Sequence, residues 1–448
     1  MNKLDTALVT AALKKAGFSL TASDKEADVV LINTCSVRQH AEQRVLSHLG
    51  HLKHIKETRP NMVVGVIGCM AQRLGTELLE HEAVDIVCGP AQLPQITELV
   101  NKALQEKTKN LAVTEKIRRK IPDKQTKAIE EFESAYDHDD AQLQGQAYVR
   151  AMHGCDNFCT YCIVPYVRGP QVSRPAEVII EQIKRLADQR VKQVTLLGQK
   201  VNSYKYSTSA KTYCLADLLY LASEIKGIEW LRFVTSYPAE EFYDEILEAM
   251  RELPKVCKYL HLPAQSGSDK ILAAMNRKYT ASQYLEMLDR ARKMVPNIAI
   301  AGDFIVGFPG ETEEDFRATV SLVEQARYKN AFVFKYSPRP GTTAGKKLQD
   351  TVSNEVKKRR NIELLAVQEK ISDELSREFL GKTVRILVEG QSKKAHLDTE
   401  NAENGVQLVG RTEGDWIVVF DGPTSLAGQF AEVKITKTSP LTLFGKLA

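Results

Sequence analysis

The chain has 448 residues, 43% of them apolar and 26% charged, which excludes disordered and fibrous classes and allows two or three domains with sizeable cores. Its 61 basic against 57 acidic residues leave a net charge of +4, too small an excess to announce a nucleic-acid partner without local clustering. No apolar run approaches the roughly 20 residues that cross a bilayer, and the polar start Met1-Asn2-Lys3-Leu4-Asp5 does not read as a signal peptide. A cytoplasmic protein with no membrane partner is expected.

Residues 4–13 carry a helical apolar stripe that Gly17 stops. Residues 29–32 form a short, wholly apolar run of the kind found in buried parallel strands. A helical stretch follows from about 37 to 56, and 63–67 and 85–87 supply two more strands. This alternation predicts a small parallel α/β domain over 1–103. From 104 to 144 the pattern fades into charge-rich sequence, with Arg118-Arg119-Lys120 and Asp137-His138-Asp139-Asp140, and reads as an inter-domain linker.

A strand over 148–152 opens a central domain, 145–376. Pro175 starts a helix whose Ile179, Ile183 and Leu186 share one face. Strand runs recur at 194–197, 231–234, 259–262, 298–306 and 331–334. Helical patterns separate them, one opened by the capping box Thr280 and Gln283. Six strand–helix units predict a partial (βα)6 barrel. A long helix over 356–377 gives way toward Gly381 to short strands at 384–388, 406–409 and 416–420. Their polar turns predict a small all-β, OB-like barrel over 377–448.

Eight cysteines are too few for a disulfide scaffold, but three crowd together in Gly154-Cys155-Asp156-Asn157-Phe158-Cys159-Thr160-Tyr161-Cys162. Three thiols on one loop after a strand can ligate three corners of a cubane iron–sulfur cluster. The loop holds no fourth cysteine, so one iron stays open for an exogenous ligand. The competing reading is a zinc knuckle completed by His153 or a distant donor, although structural zinc sites normally pair two-residue spacings.

This CxxxCxxC loop resembles the signature of radical S-adenosylmethionine (SAM) enzymes. Ile163-Val164-Pro165-Tyr166-Val167-Arg168-Gly169, Ser173-Arg174, Leu262-Pro263-Ala264-Gln265-Ser266-Gly267-Ser268, Gly307-Phe308-Pro309-Gly310-Glu311-Thr312 and Tyr336-Ser337-Pro338-Arg339-Pro340-Gly341-Thr342 resemble the methylthiotransferase branch. Leu197-Gly198-Gln199-Lys200-Val201-Asn202-Ser203-Tyr204 is most similar to the tRNA-2-methylthio-N6-dimethylallyladenosine synthases. The resemblance covers the whole chain, in the order N-terminal cluster domain, radical domain and TRAM β-barrel.

The resemblance implies that Cys155, Cys159 and Cys162 hold a [4Fe-4S] cluster whose open iron binds the amino and carboxylate groups of S-adenosylmethionine. Reductive cleavage of the sulfonium then yields a 5′-deoxyadenosyl radical. Loops after the barrel strands would hold this cofactor and the substrate base, with Tyr161, Gln199 and Asn202 as cofactor contacts. Gln199, Asn202 and Arg339 are equally readable as satisfying buried backbone groups.

Cys35 and Cys69, each ending a strand, would hold a second, auxiliary [4Fe-4S] cluster implicated in sulfur donation. The family's third ligand there lies in a Gly-Cys-Gln-Met-Asn motif. Met1-Asn2 matches its tail, so the expectation is a truncated start and a poorly bound auxiliary cluster. Cys88, also at a strand end before Gly89-Pro90, could stand in for the third ligand but reads first as a small buried residue, and Cys214 and Cys257 have no partner at useful spacing.

In the C-terminal barrel, Lys382, Arg385, Lys393, Lys394, Arg411, Lys434 and Lys437, with Trp416 as a stacking surface, form a candidate RNA face. The implied function is conversion of N6-isopentenyladenosine at position 37 of tRNA to its 2-methylthio derivative. Partners would be tRNA and an electron donor such as flavodoxin or ferredoxin, with the protein a monomer. The rivals are a methylthiotransferase for threonylcarbamoyl-adenosine or a ribosomal-protein aspartate, and a non-catalytic, zinc-stabilised RNA-binding protein.

Overall fold

Short apolar runs build the first sheet. A computed structural model describes residues 1–36, 39–114, 122–136, 144–241, 243–393 and 406–448. Arg118-Arg119-Lys120, Asp137-His138-Asp139-Asp140, Val37 and Lys394 lie outside the described residues. The chain divides into two units, one of Met1–Asp137, His153–Arg174 and Ser337–Lys347, the other of His138–Met152, Pro175–Tyr336 and Leu348–Ala448.

In the first unit, β1 (Val29–Thr34), β2 (Val63–Gly68), β3 (Ile86–Cys88) and β4 (Asn110–Ala112) pair in parallel and in that order. β2 is buried along its length, as a central strand covered on both faces must be. Its two-residue period sorts the side chains. Val64 and Val66 join the core of the helix Gln39–Thr58, while Val63 and Ile67 join that of the helix Ile96–Glu106. The stretch 104–144, read as a linker, contains the end of that second helix, β4 and the helix Asp123–Ser134. Three residues with one buried side chain gave β4 no periodic signal.

In the second unit six parallel strands form the expected incomplete barrel. β5 (Gln146–Arg150), β6 (Gln193–Leu197) and β7 (Trp230–Val234) make one triplet, and β8 (Tyr259–His261), β9 (Ala299–Val306) and β10 (Asn330–Lys335) the other. They meet where Leu231 N donates to Lys255 O and Ser236 N to His261 O. Ile179, Ile183 and Leu186 of the helix Ala176–Asp188 are buried, with Pro175 at the N-cap, one position before the first helical residue. The Thr280–Gln283 capping box is formed, and Thr312 with Asp315 makes another.

The helix Asn354–Arg377 leads into a closed barrel of β11 (Thr383–Gln391), β12 (Val406–Thr412), β13 (Ile417–Gly422), β14 (Phe430–Thr438) and β15 (Thr442–Leu447). β14 and β15 had no counterpart in the sequence reading; in β14 charged residues flank the few inward side chains such as Val433 and Ile435, and β15 buries only Leu443. Trp416 requires a correction. It is 5% exposed inside this barrel's core, 5.1 Å from the Phe379 ring, so it offers no stacking surface.

The small barrel sits on the amino-terminal ends of the six strands. Trp230 meets Phe430 edge-on at 4.8 Å, Arg232 Nη1 donates to Glu413 O at 3.1 Å, and Lys329 lies 3.5 Å from Asp415. Among the described residues no helix is long and apolar enough to cross a membrane.

Candidate active site

The three-cysteine loop belongs to the first unit. Gly154 turns the chain into it at φ +63°, where an added Cβ would stand 1.9 Å from Pro170 O, so only glycine fits. Cys155 N donates to Gly169 O at 3.1 Å, Cys162 N to Cys159 O at 2.9 Å, and Ala344 N to Thr160 O at 2.7 Å. These bonds pin the loop at its start, its turn and its middle. Cys159 is buried and Cys155 and Cys162 are half-buried, and the three are not joined by disulfides. Tyr161 is half-buried, and the exposed aromatic of the loop is Phe158, edge-on to Tyr166 at 6.0 Å.

This donor set suits an iron–sulfur cubane, in which each thiolate takes a different iron. A zinc ion instead needs four donors converging on one point. Among the described residues no three His, Cys, Asp or Glu side chains converge on a single-ion position.

Cys35 and Cys69 are also in the first unit. Thr34 and Gly68 are register partners in β1 and β2, so the two cysteines that follow leave the sheet side by side at its carboxyl edge. Burial pushes the Cys69 thiol up, against the opposing charge of Arg168. Arg168 Nε donates to Cys69 Sγ at 3.2 Å, and its Nη2 donates to Asp5 Oδ2 at 2.6 Å. Beside Cys35, Arg73 binds Ser36 Oγ at 2.8 Å and Glu42 Oε2 at 2.9 Å, and Arg339 lies 3.7 Å from the same carboxylate. A cavity of about 390 Å³ adjoins these groups, with Arg73, Tyr166, Arg168 and Lys346 in its wall. Burial drives the thiols of Cys88 and Cys257 up to about 12, which leaves both poor nucleophiles.

Gln199 and Asn202 lie in the second unit, beyond the carboxyl end of β6. Gly198 is needed there, since a Cβ would meet Met152 Cγ at 2.6 Å. Asn202 is 3% exposed, its Nδ2 donates to Tyr237 O at 2.8 Å, and its Oδ1 accepts from Tyr237 N at 2.7 Å. These bonds brace the backbone at Tyr237, while Gln199 stays partly exposed. Glu311 likewise ties its own loop, accepting from Gly307 N at 2.6 Å and from Arg360 Nη1 at 2.7 Å.

Several polar groups escaped the sequence reading. Ser236 Oγ is buried beyond β7 with no partner among the described residues. The register of β8, β9 and β10 sets His261, Asp303 and Phe332 on one sheet face. His261 Nε2 lies 3.2 Å from Asp303, and Phe332 is exposed beside it. The aspartate inside the apolar run of 298–306 was the legible signal. Arg168 and Asp5 carried none, because their partners are distant in sequence.

Family models match three segments: an uncharacterised protein family, UPF0004, over residues 1–89, the radical SAM superfamily over 149–323, and the TRAM domain over 377–448. Membership of the radical SAM superfamily implies a [4Fe-4S] cluster and S-adenosylmethionine.

A tRNA-2-methylthio-N(6)-dimethylallyladenosine synthase of Rhodopirellula baltica is 44% identical, over 100% of this chain and 93% of the relative. One from Thermoanaerobacter sp. (strain X514) is 42% identical over 100% and 90%. Among solved structures, a radical S-adenosylmethionine methyltransferase, TsrM, from Kitasatospora setae superposes with a TM-score of 0.54 at 16% identity, over 77% of this chain and 72% of that one. This last likeness speaks for the fold alone. The full-length similarity, carried through all three segments, makes this chain a member of the radical SAM family of tRNA-2-methylthio-N(6)-dimethylallyladenosine synthases.

Proposed function

We propose that the chain is a tRNA methylthiotransferase that converts N6-isopentenyladenosine at position 37 to 2-methylthio-N6-isopentenyladenosine, using S-adenosylmethionine both as methyl donor and as radical source. The observation that carries this is the pinned three-thiol loop without a fourth cysteine, in a chain similar over its whole length to synthases of that name.

Cys155, Cys159 and Cys162 hold the first cluster, and Cys35 and Cys69 an auxiliary one. A cluster on the loop supplies, when bound, the electron that splits the sulfonium of S-adenosylmethionine. The chain's own work is placement. Gly154 and the Cys155–Gly169 and Thr160–Ala344 bonds hold the thiols in one arrangement. Asn202 and Glu311 stiffen two of the loops beyond the barrel strands. Gln199, Ser236 and the His261–Asp303 pair offer polar groups there that a cofactor or base can use.

The TRAM segment supports a tRNA substrate. Its exposed Lys382, Lys393, Lys434 and Lys437 are cations suited to phosphate, whereas Arg411 is paired with Glu389 and Asp415, and Arg385 with Glu229. We take the functional segments to be 1–103, 145–376 and 377–448, with 104–144 between the first two, the protein monomeric and cytoplasmic, and a flavodoxin or ferredoxin as reductant.

Mass spectrometry of tRNA nucleosides from a strain lacking the gene tests the reading. Loss of 2-methylthio-N6-isopentenyladenosine with accumulation of N6-isopentenyladenosine is expected. Retention of the methylthio nucleoside in the absence of a second such enzyme overturns it.

A further inference from the structure

Alternate residues of the barrel strands face inward. Val234 of β7 packs with Tyr259 of β8 and with Ala299 and Ala301 of β9, so these side chains line the concave face. Two positions further along the same face come His261 and Asp303. The outer face is closed, with Phe304 buried 5.6 Å from the Tyr328 ring. A polar layer thus sits above small alanines. His261 Nε2 is buried 3.2 Å from Asp303 Oδ2 but is not aligned for a hydrogen bond, and the carboxylate has no other partner among the described residues. Ser236, whose N donates to His261 O at 3.1 Å, is 5% exposed, and its Oγ has no partner there either. Phe332, the register partner of Asp303, stands 6.4 Å from the His261 ring and is 47% exposed on the edge strand β10.

The backbone at this rim is strained. Thr235 and Gln265, which follow β7 and β8, hold φ +70° and +75°, a conformation that a β-branched residue rarely adopts. Such strain gathers at ligand sites. An exposed aromatic beside unpaired polar atoms suits a flat ring with a polar edge. Enzymes that act on an atom of a base take it out of the stack, then hold it by stacking and by hydrogen bonds to its edge. A purine bearing one N6 substituent keeps a single exocyclic N–H, and an ionised carboxylate only accepts.

We propose that Phe332, Asp303 and His261 seat the substrate base: the purine stacks on Phe332, Asp303 accepts its N6–H, and His261 positions the carboxylate. The inference rests on the reading of an N6-substituted adenosine in tRNA as substrate. It assigns Phe332 and Asp303 as specificity-determining residues.

The test titrates the full chain, reconstituted without oxygen, with three anticodon stem–loop RNAs that differ only at position 37. One carries N6-isopentenyladenosine, one its 6-O-isopentenyl analogue with oxygen in place of N–H, and one an abasic site. Fluorescence anisotropy without S-adenosylmethionine or reductant reads binding apart from turnover. Equilibrium dialysis measures S-adenosylmethionine binding separately. The variants are Phe332→Ala, Phe332→Tyr, His261→Ala and Asp303→Ala.

The parent is expected to prefer the N–H base to its oxygen analogue by about tenfold. Asp303→Ala brings these two toward equality, and His261→Ala narrows the gap less. Phe332→Ala weakens both base-bearing RNAs by about fivefold or more, and Phe332→Tyr restores them. Abasic RNA and S-adenosylmethionine bind all four variants as they bind the parent. Unchanged preferences in the variants overturn the role of this face and leave the substrate reading standing. Equal weakening toward all three RNAs is general damage and also overturns it. Lost S-adenosylmethionine binding with unchanged RNA preferences assigns the face to the cofactor's adenine instead. A parent indifferent to position 37 overturns the substrate reading, and the inference with it.

Discussion

Asn202 serves both backbone groups of Tyr237 from a position 3% exposed to solvent. Asn202→Ala removes both bonds and leaves a buried N–H and C=O unsatisfied, so a loss of about 2–4 kcal/mol is expected in denaturant unfolding. Gln199→Ala, at a half-exposed neighbour, should stay within about 0.5 kcal/mol. A second residue-scale prediction concerns Gly154. An alanine there must adopt φ +63° and clear a carbonyl oxygen 1.9 Å away, so Gly154→Ala should displace the loop and cut iron and sulfide by one cluster's worth. Unchanged iron content would show that the loop is not the ligating element.

At the scale of elements, the seat of the small barrel turns on Lys329. Burial pushes its ammonium down to about 8 from an ordinary 10.5, with Asp415 pulling the other way. The folded state therefore binds this proton less tightly than the unfolded chain does. Below pH 8 both states are charged and the full penalty applies. As pH rises from about 8 to 10.5 the folded state sheds its proton first, and stability from this group increases by at most about 3 kcal/mol. Denaturant unfolding at pH 7 and pH 10 should show that rise in the parent protein and lose it in Lys329→Met. An equal rise in both would place its source elsewhere. A smaller effect is expected at the capping box: Thr280→Ala removes a side-chain acceptor for Gln283 N and should cost about 1 kcal/mol.

The same scale shows what the sequence could convey. Capping boxes, apolar strands and helix faces follow from residues a few positions apart, and those over 179–186, 280–283 and 298–306 formed as read. β4, β14 and β15 did not stand out, because each buries only a few side chains among polar ones. Trp416 was misjudged for a related reason: composition marks an aromatic as available, and only the closed barrel decides that it faces inward.

Across the whole molecule, units do not follow chain order. Residues 153–174 and 337–347 fold with 1–137, an arrangement that local periodicity cannot encode. The Arg168–Asp5 pair spans 163 positions and the Arg339–Glu42 pair lies in the same unit, so the groups around Cys35 and Cys69 were illegible although the cysteines themselves were not. The loop trio was legible because its chemistry is confined to eight consecutive residues.

The central claim is that this trio binds a cluster with one iron free for S-adenosylmethionine. It is tested most directly by low-temperature EPR of the anaerobically reconstituted, reduced full chain, with and without S-adenosylmethionine, beside the variant with Cys155, Cys159 and Cys162 changed to alanine. The account predicts a signal that S-adenosylmethionine perturbs in the parent, and a variant that lacks that response and holds about four fewer iron atoms per chain. A signal indifferent to S-adenosylmethionine, or a variant that keeps all its iron, would contradict it.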